Sequence, residues 1–99
     1  GHCLVIPKAP ARNIFDCPAE DLAAVMAVVQ KLALATRKAF AADGVTIQQF
    51  NEAAGGQEGF HLHFHVIPRK EGEKLRPLPR SVADMAELGR QADAIRAAL

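Results

Sequence analysis

Three of the four histidines in this chain alternate with apolar residues in the run His61-Leu62-His63-Phe64-His65, which continues as Val66-Ile67-Pro68. Side chains along a β-strand alternate faces with a period of two, so the run predicts a strand carrying His61, His63 and His65 on one face. Phe60, Leu62, Phe64 and Val66 would line the other, buried face. Imidazole is the side chain whose unperturbed pKa lies nearest neutrality, and it serves as acid, base, nucleophile or metal ligand. A strand with one face to bury and an imidazole face to present is where the chemistry of this chain should lie.

Three uses of such a face compete. A merely solvated polar face gives histidine no special role, and three alternating copies of an uncommon residue type rarely arise by chance. The second use is a metal site. His61 and His65 would have Cα atoms about 13 Å apart at ~3.3 Å per residue, whereas a histidine reaches zinc roughly 6.5 Å from its Cα through a ~2.1 Å bond. The outer pair would have to stretch into the space of the middle ring, and no cysteine pair completes a shell. The third use is phosphoryl or nucleotidyl transfer. One neutral imidazole attacks phosphorus, while neighbours donate hydrogen bonds to phosphate oxygens and the leaving group. Crowded imidazoles also tune each other's proton affinity, which separates the nucleophile from the donor.

The elements that must position these residues follow from local pattern. Residues 2–6 read as a short strand ended by Pro7, and residues 8–15 as a connector containing Pro10. A helix is predicted from near Cys17, with Pro18 at its first position and Glu20 and Asp21 complementing the helix dipole. Its apolar stripe runs through Leu22, Val25, Met26, Val29, Leu32, Ala39 and Phe40, with Thr36 as a semi-polar break, and Gly44 stands where a C-terminal cap belongs. Residues 45–50 alternate as a second strand. Residues 51–59 form a loop in which Gly55, Gly56 and Gly59 ease a reversal, so this strand and the histidine strand should pair antiparallel. Residues 69–80 are charged, contain Pro77 and Pro79, and read as an irregular surface segment. Ser81-Val82-Ala83-Asp84 resembles a capping box opening a last helix, whose apolar positions are Met85, Leu88, Ala92, Ile95 and Leu99.

Composition sets the frame. Ninety-nine residues, 49% hydrophobic and 23% charged, describe one globular domain over residues 1–99. A net charge of +1 supports neither a nucleic-acid nor a membrane partner. Cys3 and Cys17 lack the CxxC spacing of a zinc or redox site, and two free thiols in a reducing cytoplasm are expected. Residues 1–7 carry no basic region ahead of their apolar run, so no signal peptide is expected, and no stretch approaches the length of a membrane span. A cytoplasmic location is the default. The chain opens on Gly1 rather than methionine, which points to processing or to a fragment of a longer protein.

The motifs together resemble one family. His61-Leu62-His63-Phe64-His65-Val66-Ile67 is similar to the HφHφHφφ signature (φ apolar) of the histidine-triad, or HIT, family. Gly1-His2-Cys3-Leu4-Val5-Ile6-Pro7-Lys8 resembles that family's GHxLVIPK strand, and Asn51 through Gly56-Gln57 resembles its NxxxxGQ loop. Pro68-Arg69 matches the usual ending. Three separated motifs in the right order, over most of residues 1–69, make the resemblance specific.

The resemblance implies an α+β fold: an antiparallel sheet backed by a long helix, plus a C-terminal helix, usually in a homodimer. It implies hydrolysis or transfer of nucleoside monophosphates from phosphoramidates, adenylated compounds or dinucleoside polyphosphates. The expected substrate is a purine nucleoside monophosphate derivative, and no metal or other cofactor is expected. By position, His63 is the expected nucleophile and carries a transient nucleotidyl group. His65 contacts phosphate and leaving group, and His61 and His2 support and orient the cluster. Gln57 and Asn51 are the expected substrate-binding side chains, against the plainer alternatives that Gln57 satisfies loop backbone and Asn51 caps a turn. Histidine at the third triad position departs from the uridylyltransferase branch and fits the hydrolase-like branches. Family members usually carry strands ahead of GHxLVIPK, with an acidic residue for the ribose. That segment is expected to be missing here, which motivates a rival expectation of a non-catalytic nucleotide-binding or interaction module. Pro10 stands where some zinc-binding members have a histidine, and Glu52 replaces a glycine common in the loop.

Overall fold

The first strand, β1 (Cys3–Val5), is three residues long, because Pro7 follows it without an N–H to extend a ladder. Helix α1 (Ala19–Ala39) follows the connector, then β2 (Gly44–Gln48), a single 3₁₀ turn at Ala53–Gly55, β3 (Phe64–Arg69) and helix α2 (Met85–Ala98). The computed structural model describes residues 1–72 and 84–99. Most of the predicted irregular segment over 69–80, and Ser81 of the predicted capping box, lie outside the described residues. The cap that is described is Asp84, whose side chain accepts the Ala86 amide at 2.9 Å.

The sheet order is β1-β3-β2, antiparallel throughout. This is the expected α+β architecture, and the predicted pairing of the second strand with the histidine strand is present. The register sets Val5 opposite Phe64 and Cys3 opposite Val66, while Leu4 and Gln48 both flank His65. Facing residues share a side, so Val5, Phe64 and Val66 point inward and His65 points outward between Leu4 and Gln48. Beyond Val66, β1 no longer accompanies β3, and there Pro68 is tolerated with β2 as sole partner.

The inner face meets α1. Val25 and Val29 are buried in one core with Val5, Ala11, Cys17, Leu62, Phe64 and Val66, and Leu22 and Leu32 pack against it. Thr36, the semi-polar break in the stripe, is fully buried and returns its hydroxyl to the Ala33 carbonyl at 3.2 Å. Met26 is half-exposed, so the buried stripe is narrower than predicted. In α2, packed on α1, Ile95 is the buried apolar residue, whereas Met85, Leu88 and Leu99 face outward. Both cysteines are free.

Both ends of α1 differ from the sequence reading, and the strands are Cys3–Val5 and Gly44–Gln48 rather than 2–6 and 45–50. Pro18 is the N-cap rather than the first helical residue, with ψ 143°, and its carbonyl takes the Leu22 amide. Helix α1 stops at Ala39, not near Gly44. Ala41 adopts φ +48°, and the amides of Ala41 and Ala42 return to the carbonyls of Lys38 and Arg37. That is a Schellman closure with alanine where glycine is usual, which frees Gly44 to begin β2. In the 51–59 loop, Gly56 (φ +92°) and Glu52 (φ +63°) hold the positive angles, while Gly55 and Gly59 do not.

Candidate active site

The histidine run is not one strand. β3 begins at Phe64, so His65 alone of the three lies within it. The reason is the short β1: past Val5 it offers no further ladder, and the connector takes its place. The Leu62 amide donates to the Ala11 carbonyl at 2.8 Å, and the His61 ring donates through Nε2 to the Pro7 carbonyl at 3.1 Å. Alternation survives without the ladder, since Leu62, Phe64 and Val66 are all buried. Phe60 breaks it. It is 47% exposed rather than core, with the Arg12 guanidinium 4.2 Å above its ring.

The rings that gather are those of His2, His65 and His63. His2 Nε2 lies 2.9 Å from His65 Nδ1, and the ring centroids of both His2 and His63 lie 5.0 Å from that of His65. Phe50 closes another side of His65, edge-on at 6.0 Å. His63 Nδ1 is 2.8 Å from the His61 carbonyl oxygen. A carbonyl only accepts, so Nδ1 must carry the proton, and Nε2 of a neutral His63 keeps its lone pair. His61 thus serves the cluster through its backbone oxygen, while its ring anchors to the connector.

Burial pulls the His65 pKa below its ordinary value, and the neighbouring His2 and His63 pull it the same way. His2 is lowered too, by partial burial first and by the adjacent amino terminus second. Both shifts favour the neutral ring, and across the 2.9 Å contact one of the two facing nitrogens donates and the other accepts.

Of the two remaining expected residues, Gln57 is buried and fully engaged. Its Oε1 accepts from Glu52 N at 2.7 Å and Asn13 Nδ2 at 3.1 Å, and its Nε2 donates to the carbonyls of Arg12 at 2.7 Å and Gly59 at 2.9 Å. Asn51 accepts the Ile14 amide at 2.9 Å and exchanges hydrogen bonds with the Gln49 side chain. Both side chains tie the 51–59 loop together and to the connector.

Residues 1–72 match the HIT domain family. The chain belongs to the HIT family. An adenylylsulfatase of Arabidopsis thaliana is 39% identical over 75 residues, covering 76% of this chain and 38% of the relative. An adenosine 5′-monophosphoramidase of Saccharomyces cerevisiae is 33% identical over 92 residues, covering 91% and 56%. Among solved structures, a Hit-like protein from Bartonella henselae superimposes with TM-score 0.92 at 51% identity, covering 99% of this chain and 71% of that one. The chain spans about half the length of the curated relatives it matches.

In this HIT domain the sequence reading missed Asn13, which is 1% exposed and donates from Nδ2 to both Glu52 and Gln57. The only signal was a polar residue near Ala11, Ile14 and Phe15, with Asp16 three positions on; Asn13 Oδ1 accepts the Phe15 amide at 3.0 Å, an Asx turn, and Asp16 accepts the amides of Arg12 and Asn13. No helix among the described residues is long and apolar enough to cross a membrane. No cluster of three or more His, Cys, Asp or Glu suited to a metal ion occurs among them either.

Proposed function

We propose that this HIT domain cleaves nucleotide substrates by way of a covalent nucleotidyl group on His63, releasing a nucleoside monophosphate. The observation that carries the reading is the His63 Nδ1 bond to the His61 carbonyl, which makes Nε2 the nitrogen that bears the lone pair in the neutral ring. His63 Nε2 forms a bond to the α-phosphorus, and the bond from phosphorus to the leaving group breaks with its electron pair. His65 protonates that group. In the proposed tautomer its Nδ1 accepts from His2 Nε2, 2.9 Å away, so its own Nε2 carries the donated proton. Water then attacks phosphorus, its proton passes to His65, and the bonding pair returns to His63 Nε2.

The substrate class is a purine nucleoside monophosphate joined to an amine, sulfate or second phosphate. The adenylylsulfatase and adenosine 5′-monophosphoramidase among the relatives support it. His61 and His2 act as supporting residues, and Gln57 and Asn51 shape the pocket beside the substrate. The protein is expected to work as a homodimer in the cytoplasm, without nucleic acid, membrane, metal or other cofactor. The rival reading, a nucleotide-binding module with little turnover, draws on the half-length match to the curated relatives.

The test is incubation with adenosine 5′-phosphoramidate, adenylyl sulfate and diadenosine polyphosphates, with and without chelator. AMP release, an acid-labile adenylyl adduct in the intact mass spectrum, and loss of both in His63→Ala are expected. AMP binding with no adduct would establish the rival, and chelator-sensitive turnover would point to metal chemistry.

A further inference from the structure

Glu52 stands in a backbone conformation that side-chain-bearing residues avoid, φ +63° and ψ 163°, a region occupied essentially by glycine. Its carboxylate repays the strain in one direction only, toward the connector. Arg12 grips it with both ends of its fork, Nε to Oε2 and Nη2 to Oε1, each at 2.8 Å, and Asn13 Nδ2 adds a third bond to Oε2 at 2.5 Å. Arg12 lies at the same time over the Phe60 ring. The Arg12 and Glu52 side chains remain 53% and 44% exposed, and an ion pair so placed contributes little to stability. What a bidentate fork supplies is direction.

Everything on either side of that fork leads to the nucleophile. The connector carrying Arg12 and Asn13 also supplies the Pro7 and Ala11 carbonyls that hold His61 and Leu62. The loop carrying Glu52 ends at Gly59, where a Cβ would stand 3.6 Å from His63 Cε1. Buried Gln57 joins the two, bound to Arg12, Asn13, Glu52 and Gly59 at once.

We propose that Arg12, Asn13 and Glu52 form a cross-brace that positions His63, setting the orientation of its attacking nitrogen rather than the stability of the fold. They are positioning residues: each acts through the connector that holds His61 and Leu62 and through the loop that ends beside His63. The proposal rests on His63 being the nucleophile.

Glu52→Gly separates positioning from stability, because glycine accepts the local φ and ψ while the carboxylate is lost. In this variant and in Arg12→Ala, kcat per folded molecule should fall about tenfold on adenosine 5′-phosphoramidate with KM within twofold. The His63 Cε1–H proton resonance should shift, and Arg12→Lys should recover part of the rate. Unchanged kcat, a loss confined to KM, or an unmoved resonance would overturn the brace. If the unsubstituted protein turns over none of the nucleotides, the hydrolase reading fails. The resonance then decides alone: a shift in both variants supports the brace, and none overturns it.

Discussion

His2 Nε2 sits 2.9 Å from His65 Nδ1, across 63 residues of sequence. One of the two nitrogens must donate and the other accept, so the tautomer of His65 is decided by a residue at the opposite end of the described motif region. With the proton on His2, His65 presents N–H at the nitrogen turned away from that contact, as a leaving-group donor requires.

On the proposed roles, replacing His2 should impair His65 as donor without touching His63 as nucleophile. His2→Ala is expected to lower kcat about tenfold, ~1.4 kcal/mol in the barrier, while leaving the adenylyl adduct on His63 detectable. His2→Gln, whose amide can still donate to Nδ1, should recover part of that loss. Steady-state kinetics with intact-mass detection checks this, and a His2→Ala enzyme of normal kcat removes His2 from the relay.

The lowered pKa of His65 fixes the sign of a stability dependence. The folded chain holds this ring below its ordinary 6.5, so between the two values the unfolded chain binds more protons than the folded one. Stability from this group is complete above 6.5 and declines as pH falls through that value toward the lower, folded one. Thermal melts from pH 7.5 down to 5 should show Tm dropping. His65→Gln, which cannot titrate, should drop less over the same window, and parallel curves would contradict the assignment.

At Ala41 the chain spends energy that glycine would save. A residue with a Cβ in the left-handed region costs roughly 1–2 kcal/mol, and Ala41 closes α1 at φ +48° while exposed to solvent. Ala41→Gly should stabilise by about 1 kcal/mol and raise Tm by roughly 4–8 °C for a domain this size. Chemical denaturation should show the midpoint rising with an unchanged slope; a lower midpoint would mean the closure is not as described.

Phe64 tests the inner face. It is buried between Val5 and the α1 stripe, next in sequence to His65 and His63. Phe64→Ala should destabilise by about 3–5 kcal/mol, whereas Phe60→Ala, at a half-exposed ring, should cost far less. Urea melts of the two variants give the comparison, and similar losses would undo the distinction between the faces.

Much of this was legible locally. The period-two run from Leu62 to Val66 announced which side chains go inward, and it did so whether or not ladder bonds formed, because burial of Leu62, Phe64 and Val66 depends on alternation alone. The strand after the helix, its antiparallel partner, and the helix stripe at Leu22, Val25 and Val29 followed from the same kind of periodicity. The family motifs, in order along residues 1–69, announced the fold and the candidate nucleophile together.

Tertiary structure decided what joins distant segments. Nothing in the alternation of residues 61–65 says that β3 starts only at Phe64; that follows from the short β1, which Pro7 ends, and from the connector carbonyls that replace it. The gathering of His2 with His65, the grip of Arg12 on Glu52, and the burial of Asn13 and Gln57 between connector and loop each span about 40 residues or more. Such contacts exist only once the sheet register and the packing of α1 have fixed where the two chain segments meet. Periodicity reports which way a side chain points along its own element, and it carries no information about what waits on the other side.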